Sequence, residues 1–215
     1  MIRDVVADVR SIFRNVVCVD DGSGDDTGLQ ALRAGAHVVT HPVNLGQGAA
    51  IQTGVEYARG RPQARIFATF DADGQHQAKD VVRMIDRLAA GDVDVVIGTR
   101  FGGDATRPRS DTPPVKRLIL RAAARLSPQS RRLRLTDAHN GLRVFNRKVA
   151  DELELTMNGM SHAGEFIALA YARGWRVAEE PVEILYTDYS KAKGQPLLNG
   201  VNIVFDSLVR RRLTR

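Results

Sequence analysis

The feature that most limits how this chain can fold is an alternation of short apolar runs with amphipathic stretches. Runs rich in valine and isoleucine predict strands at residues 16–19, 37–40, 65–70, 94–99 and 177–186. Apolar side chains spaced three and four residues apart predict helices at 2–13, 27–34, 47–59 and 78–90. Strands that alternate with helices predict an α/β fold whose mainly parallel sheet is flanked by helices.

Charged side chains gather where the predicted strands end. They are Asp20 and Asp21 after the first strand, Asp71 and Asp73 after the third, and Arg100 after the fourth. In open α/β sheets, ligands bind outside the carboxyl ends of the strands. We therefore expect a ligand site at this edge of the sheet.

The segment Asp71–Gln75 places two carboxylates and an amide oxygen at alternate positions on a tight turn. These are the ligands that a hard divalent cation prefers, so the pattern predicts Mg²⁺ or Mn²⁺ bound to Asp71, Asp73 and Gln75. An isolated Asp-x-Asp pair is more often an ordinary acidic turn. Here the apolar strand directly before it favours the metal site.

Two further segments lie near the same edge. Asn44 to Gly48 opens a helix with small residues, which lets a ligand approach the backbone amides at the helix end. The segment Asp20–Ser23 is compatible both with a ligand loop and with ordinary helix capping. Ile51 stands where a dinucleotide-binding fingerprint needs glycine, so an NAD site is disfavoured.

Five motifs in register resemble the family 2 glycosyltransferases, in particular the dolichyl- and polyprenyl-phosphate mannose or glucose synthases. The motifs are Val19–Ser23, Asn44–Gly48, Phe70–His76, Gly98–Arg100 and Asp137–Arg143. The resemblance runs from Val16 to about Gln195. It implies a GT-A fold, which is Rossmann-like, and an inverting transfer of a hexose or N-acetylhexosamine from a UDP- or GDP-sugar.

The resemblance also implies roles for individual residues. Nucleotide contacts are expected from Asp20, Asp21, Ser23, Asn44, Gly46, Gly48 and Asp71. Asp73, Arg100 and Arg143 are the expected catalytic residues, with the two arginines binding phosphate. Lys191 and Lys193 resemble a basic loop that closes over the acceptor phosphate.

One part of the family pattern is missing from the sequence. The family begins with a strand that ends in a Pro-x-Tyr/Phe-Asn-Glu-like turn, whereas this chain begins at the helix after it. The fold is therefore expected to lack that first strand. We expect another segment to fill the gap, the chain to self-associate along it as a homo-oligomer, or the fold to be marginally stable.

The chain carries a net charge of +6, which implies an anionic partner. Residues 104–134 are strongly basic and contain an apolar helical stripe from Val115 to Leu126. We expect one catalytic domain at 1–195 and an amphipathic basic helix at 196–215, and both basic segments can lie on an anionic membrane surface. No signal peptide or membrane-spanning run is present, so we expect a cytoplasmic protein attached to the inner face of the cell membrane.

The chemistry of the acceptor favours polyprenyl phosphate. A phosphomonoester has a second pKa of about 6, so it is a nucleophilic dianion near neutral pH and needs no general base. For Glu165 two interpretations remain, a general base or a residue at the start of a helix. Trp175 is expected to pack where that helix turns into the strand at 177–186. A nucleic-acid binder is disfavoured because the basic stretches lack interleaved aromatic residues. The remaining alternative is a non-catalytic nucleotide-binding or scaffold protein of the same fold.

Overall fold

A computed structural model of the protein describes residues 1–101, residue 124 and residues 127–185. Its helices are α1 (Ile2–Ile12), α2 (Thr27–Arg33), α3 (Gln47–Arg59), α4 (Ala78–Ala89), α5 (Pro128–Arg132), α6 (Arg147–Glu152) and α7 (His162–Ala172). Its strands are β1 (Val17–Asp20), β2 (His37–Thr40), β3 (Ile66–Thr69), β4 (Val95–Thr99), β5 (Arg143–Asn146) and β6 (Val177–Pro181). The elements predicted within the described residues are confirmed, although β6 is shorter than expected.

The strands form two sheets. Strands β1 and β2 pair in parallel, and the second sheet has the order β3-β5-β4-β6. The α/β fold is therefore confirmed, with one feature that the sequence did not predict. Strand β5 runs antiparallel to both of its neighbours, β3 and β4, while β4 and β6 are parallel.

The reversed direction of β5 decides where the site can form. Its first residue, Arg143, lies opposite Thr69, the last residue of β3, and opposite Ile97 of β4. An antiparallel strand thus begins at the edge where the parallel strands end. This places Arg143 beside the acidic segment that follows β3.

The sheet is covered on both faces by helices. On one face Val95, Ile97 and Phe145 pack with Phe166 of α7 and with Trp175. On the other face Val96 and Val144 pack against the apolar side of α4, which presents Val81, Met84 and Leu88. Alternate residues of β4 point to opposite faces, as the period of a strand requires. The expected packing of Trp175 is confirmed, because its side chain is 2% exposed.

Strands β1 and β3 each end their sheet. Among the described strands, none pairs with the side of β1 opposite β2 or with the side of β3 opposite β5. Helix α3 packs against both of these strands. The expectation that the fold lacks a strand at this place stays a prediction.

Several predictions fall on residues outside the described part of the chain. They concern most of the basic segment 104–134 with its stripe Val115–Leu126, the loop with Lys191 and Lys193, and the helix at 196–215. Within the described helices, none has the length and the apolar character needed to cross a membrane.

Candidate active site

Asp71 lies at the centre of the candidate site, just after β3. The Gln47 side-chain amide donates a hydrogen bond of 2.9 Å to Asp71 Oδ1, and the His76 ring nitrogen Nε2 lies 3.4 Å from Oδ2. The Asp71 carboxylate also touches the backbone of Gly141, where a Cβ atom would overlap Oδ2. Thr69 fixes this approach by donating a 2.7 Å hydrogen bond to the Gly141 carbonyl.

The Asp71 carboxylate is held in its ionised form. Burial raises the pKa of this group, but the hydrogen bond from His76 and the positive charge of Arg143 lower it by more. The net pKa of Asp71 lies below its ordinary value. A charged acceptor therefore stands at the carboxyl edge of the sheet at neutral pH.

Arg143 lies beside Asp71 with its guanidinium group buried. The residue is 1% exposed, and its three side-chain nitrogens have no hydrogen-bond partner among the residues that the structure describes. The guanidinium carbon lies 4.5 Å from the centre of the Phe166 ring, which stacks under it. Burial lowers the pKa of Arg143 to about 10, against the opposing effect of Asp71 and Asp137, so the group keeps its charge at neutral pH.

Two more buried polar atoms around Asp71 lack a hydrogen-bond partner within the described ranges of the chain. They are Nδ2 of Asn140 and Nδ1 of His76. Buried polar groups in folded proteins are nearly always satisfied, so a cluster of unsatisfied groups indicates a ligand or ordered water. Asn140 precedes Gly141, and Arg143 follows two residues later, so one turn supplies most of these donors.

Arg100, the second predicted phosphate-binding arginine, has a different environment. It forms a bidentate ion pair with the buried Asp137, at 2.6 and 2.8 Å, and its backbone amide bonds the same carboxylate. Glu179 in turn accepts hydrogen bonds from the backbone amides of Thr136 and Asp137. The guanidinium of Arg100 is thus engaged within the protein, and phosphate binding by Arg100 stays a prediction that would require this pair to rearrange.

The remaining predicted metal ligands lie on the turn after Asp71. Asp73 Oδ1 accepts a 3.0 Å hydrogen bond from the Gln75 amide, and the Gln75 carbonyl accepts one from Leu185. Among the described residues, no group of three histidine, cysteine or acidic side chains could by itself hold a metal ion. Two carboxylates and an amide oxygen still fit Mg²⁺ or Mn²⁺, because these ions take the rest of their ligands from substrate phosphates and water.

The predicted nucleotide-binding aspartates are bound within the chain. Asp20 Oδ1 accepts a 3.0 Å hydrogen bond from the Ser23 amide. Asp21 accepts hydrogen bonds from the amides of Leu45 and Gly46, and His41 Nδ1 lies 2.7 Å from its Oδ1. Burial raises the pKa of Asp21, but these hydrogen bonds outweigh it, and the net pKa lies below the ordinary value.

The glycines at the start of α3 are explained by packing within the chain. Gly46 has a φ of +99°, which favours glycine. A Cβ at Gly46 would overlap the backbone of Asn158, and a Cβ at Gly48 would overlap that of Met157. The Gly48 amide donates a 2.7 Å hydrogen bond to the Asn158 carbonyl. The close approach expected for a ligand is therefore made by residues 157–159, while Asn44 is exposed. Nucleotide contacts at Asn44, Gly46 and Gly48 stay predictions.

Residues 156–161, here called the strap, are held over the start of α3. Glu165 accepts hydrogen bonds from the backbone amides of Thr156 and Met157 and from the Thr156 hydroxyl. His162 Nδ1 lies 2.9 Å from the Gly159 carbonyl. Glu165 thus anchors the strap, which supports its structural interpretation over that of a general base.

We expect Glu165→Ala to lower the free energy of unfolding by about 1–3 kcal/mol, because several hydrogen bonds to one carboxylate are lost. Glu165→Gln keeps one acceptor and should retain sugar transfer within about tenfold, whereas loss of a general base costs about 10²–10⁴-fold. Urea unfolding and turnover of both variants test this. A Glu165→Gln variant that is fully folded but inactive would instead support the interpretation of Glu165 as a general base.

Sequence reasoning missed several residues of this site. Gln47, Asn140 and His162 all contact or adjoin the Asp71 cluster, and none was given a role. Gln47 and Asn140 lay inside two of the recognised motifs, Asn44–Gly48 and Asp137–Arg143, which was the available signal. His162 had no such signal, because only the folded chain brings it next to Asp71.

Comparison with known proteins supplies a family for this arrangement. The sequence profile described as Glycosyl transferase family 2 matches residues 1–154. The glycosyltransferase AglJ of Haloferax volcanii is 34% identical over 218 residues, which covers 99% of this chain and 68% of that protein. The UDP-N-acetylglucosamine–dolichyl-phosphate N-acetylglucosaminyltransferase of Methanococcus voltae is 27% identical over 230 residues, covering 97% and 90%.

The fold has a counterpart among solved structures. Glucosyl-3-phosphoglycerate synthase from Mycobacterium tuberculosis, crystallised with Mn²⁺ and UDP-glucose, superposes with a TM-score of 0.69. The match covers 96% of this chain and 72% of that one, at 17% sequence identity. At this identity the likeness supports the GT-A fold alone.

Proposed function

We propose that this chain, which belongs to glycosyl transferase family 2, moves a hexose or N-acetylhexosamine from a UDP- or GDP-sugar to the phosphate of a polyprenyl phosphate, with inversion. The observation that carries the proposal is the buried Arg143 guanidinium, which has no hydrogen-bond partner in the described part of the chain, beside the ionised Asp71. A cation without a partner at a ligand-binding edge is suited to a phosphate group. The family and the named relatives favour an enzyme over a non-catalytic scaffold.

The donor half of the site is formed by Asp71, Asp73 and Gln75. These residues would hold Mg²⁺ or Mn²⁺ against the diphosphate of the donor. When bound, the metal ion neutralises the negative charge that develops on the leaving nucleoside diphosphate. His76 and Arg143 hold the pKa of Asp71 below its ordinary value, so the carboxylate is ionised and able to bind a cation. The relative from Methanococcus voltae is named for UDP-N-acetylglucosamine, which supports a UDP-sugar donor.

Arg143 would bind phosphate oxygens in the interior of the same site. Its guanidinium lies over the Phe166 ring, and its three nitrogens make no hydrogen bond to any described residue. Asn140 adds a further unsatisfied amide donor on the same turn. Donors that are fixed before the substrate arrives stabilise developing charge without reorganisation. No proton transfer by the protein is needed at this step.

A phosphomonoester acceptor fits the state of two carboxylates in the described part of the site. Glu165 is engaged with the strap, and Asp71 accepts a hydrogen bond from Gln47, so neither carboxylate is free to act as a general base. A phosphate dianion is already nucleophilic at neutral pH. The relative from Methanococcus voltae is named for transfer to dolichyl phosphate, which supports a lipid-linked phosphate.

The lipid acceptor implies a place of action at a membrane. The net charge of +6 and the basic segments at 104–134 and 196–215 favour attachment to anionic lipid on the inner face of the cell membrane. In that position the protein would serve the synthesis of the cell envelope. Lys191 and Lys193 would then close over the acceptor phosphate.

The function is tested by offering UDP- and GDP-sugars with a short-chain polyprenyl phosphate and Mn²⁺ or Mg²⁺. We expect a product one hexose or N-acetylhexosamine heavier than the acceptor, detected by mass spectrometry, and its loss on addition of EDTA. An equal yield with a free sugar as acceptor would contradict the phosphate acceptor. Absence of transfer with every donor would contradict the proposed reaction.

A further inference from the structure

We infer that Gln47 is a positioning residue that fixes the Asp71 carboxylate for metal binding, and that Asp21 acts on the site by holding Gln47 in place. The inference rests on the proposed function, because it takes Asp71 as a ligand of the divalent ion. Hydrogen bonds made by residues at the start of α3 link the acidic segment after β1 to the acidic segment after β3.

The contact between Gln47 and Asp71 is the shorter of the two side-chain hydrogen bonds that Asp71 makes to described residues. It measures 2.9 Å at Oδ1, against 3.4 Å between His76 and Oδ2. A hydrogen bond of 2.9 Å has ordinary strength, whereas one of 3.4 Å is weak. The amide of Gln47 therefore fixes how the carboxylate is rotated. It also carries no charge, so it does so without neutralising the ligand.

The backbone is clamped on both sides of Gln47. The Gly46 amide donates a 2.7 Å hydrogen bond to Asp21 Oδ2, and the Gly48 amide donates one of 2.7 Å to the Asn158 carbonyl. Amides in the first turn of a helix have no partner within the helix. Here two of the amides around Gln47 are bound to other parts of the protein. The side chain of Gln47 is thus presented from a fixed point.

Asp21 is itself locked into this arrangement. Its Oδ1 accepts from the Leu45 amide at 2.9 Å and lies 2.7 Å from His41 Nδ1. The other ring nitrogen of His41 lies 2.9 Å from the Thr53 hydroxyl of α3. Both oxygens of Asp21 are therefore used to fasten the loop that enters α3. The Asp21 carboxylate holds the loop that enters α3, and Asp21 therefore affects metal binding through the position of Gln47.

Residues that orient metal ligands contribute to affinity without touching the metal. Loss of such a residue typically weakens metal binding by about 10–100-fold. Replacing Gln47 with leucine removes the donor and keeps an apolar side chain of similar reach. Replacing it with glutamate keeps the shape but puts a like charge against Asp71. If Gln47 were needed only for packing, Gln47→Glu should be tolerated better than Gln47→Leu.

The test measures the affinity of UDP and GDP for the full chain by isothermal titration, with and without Mn²⁺. We expect the Mn²⁺-dependent affinity to fall about 10–100-fold in Gln47→Leu and further in Gln47→Glu. The control Gln30→Leu makes the same chemical change at an exposed position of α2 and should bind as the wild type does. Melting temperatures show whether each variant is folded. Unchanged affinity in both folded Gln47 variants overturns the inference.

A double-mutant cycle with Asp21→Asn tests the second step. If Asp21 acts through Gln47, the loss in the double variant should be no larger than the greater single loss, because residues in one network are not additive. Additive losses would mean that Asp21 acts on the nucleotide independently, and would overturn that step. A wild-type protein that binds no nucleotide in a Mn²⁺-dependent way would instead contradict the proposed function and the inference together.

Discussion

Replacing Arg143 with methionine is expected to reduce kcat/KM for sugar transfer about 1000-fold while the protein stays folded. Loss of a fixed group that stabilises developing charge typically costs about 10²–10³-fold. Methionine fills the space over Phe166 but cannot bind phosphate. The melting temperature should hold or rise, because the guanidinium is buried without hydrogen-bond partners and such groups are costly. Steady-state kinetics and thermal unfolding measure the two effects.

Arg100→Met is the matched control, because it makes the same change at the other arginine of the site. Arg100 is paired with Asp137, whose side chain is 1% exposed. Removing one partner of a buried pair leaves an unpaired charge and costs about 3–5 kcal/mol. We therefore expect Arg100→Met to lose stability strongly. Equal losses of stability in the two variants would mean that Arg143 is also a structural residue.

Replacing Asp73 with asparagine is expected to abolish most metal-dependent binding of the donor. Asparagine keeps the side-chain oxygen that accepts from the Gln75 amide, so the turn should persist. It removes the negative charge that a hard cation requires. Because residues that only orient a ligand contribute about 10–100-fold, we expect a loss of about 100-fold or more in Mn²⁺-dependent nucleoside diphosphate affinity.

Asp8→Asn provides the control for Asp73→Asn, since Asp8 is an exposed carboxylate on α1. This variant should bind nucleotide as the wild type does. Asp73→Ala, which also removes the hydrogen bond of the turn, should bind no better than Asp73→Asn. Unchanged Mn²⁺-dependent affinity in both Asp73 variants would contradict the metal assignment to this turn.

The strands and helices of the first hundred residues were predictable because each has a local signal. Strand β4 shows a run of apolar residues, and α4 shows apolar residues at helical spacing. Both patterns arise because core-facing positions are apolar, so they can be recognised in the sequence. The acidic segment after β3 was predictable for the same reason. It follows a strand, and strand ends meet at one edge.

Strand β5 was not predictable in this way. It begins with a charged group, Arg143, and ends at the polar Asn146. Its antiparallel direction is set by pairing with β3 and β4, which lie far away in the sequence. That direction is what brings Arg143 to Asp71.

The sequence by itself determined the α/β class, the family and the chemical types gathered at the carboxyl edge of the sheet. The tertiary structure decided which of these groups are engaged within the protein. Arg100 and Arg143 look alike in sequence, yet Arg100 is paired with Asp137, whereas Arg143 makes no side-chain hydrogen bond to the residues described. Likewise, the glycines at the start of α3 make room for the strap rather than for a ligand at the helix end. A residue's type is local, but the partner that satisfies its charge or fills its space comes from distant parts of the chain, and only folding sets that pairing.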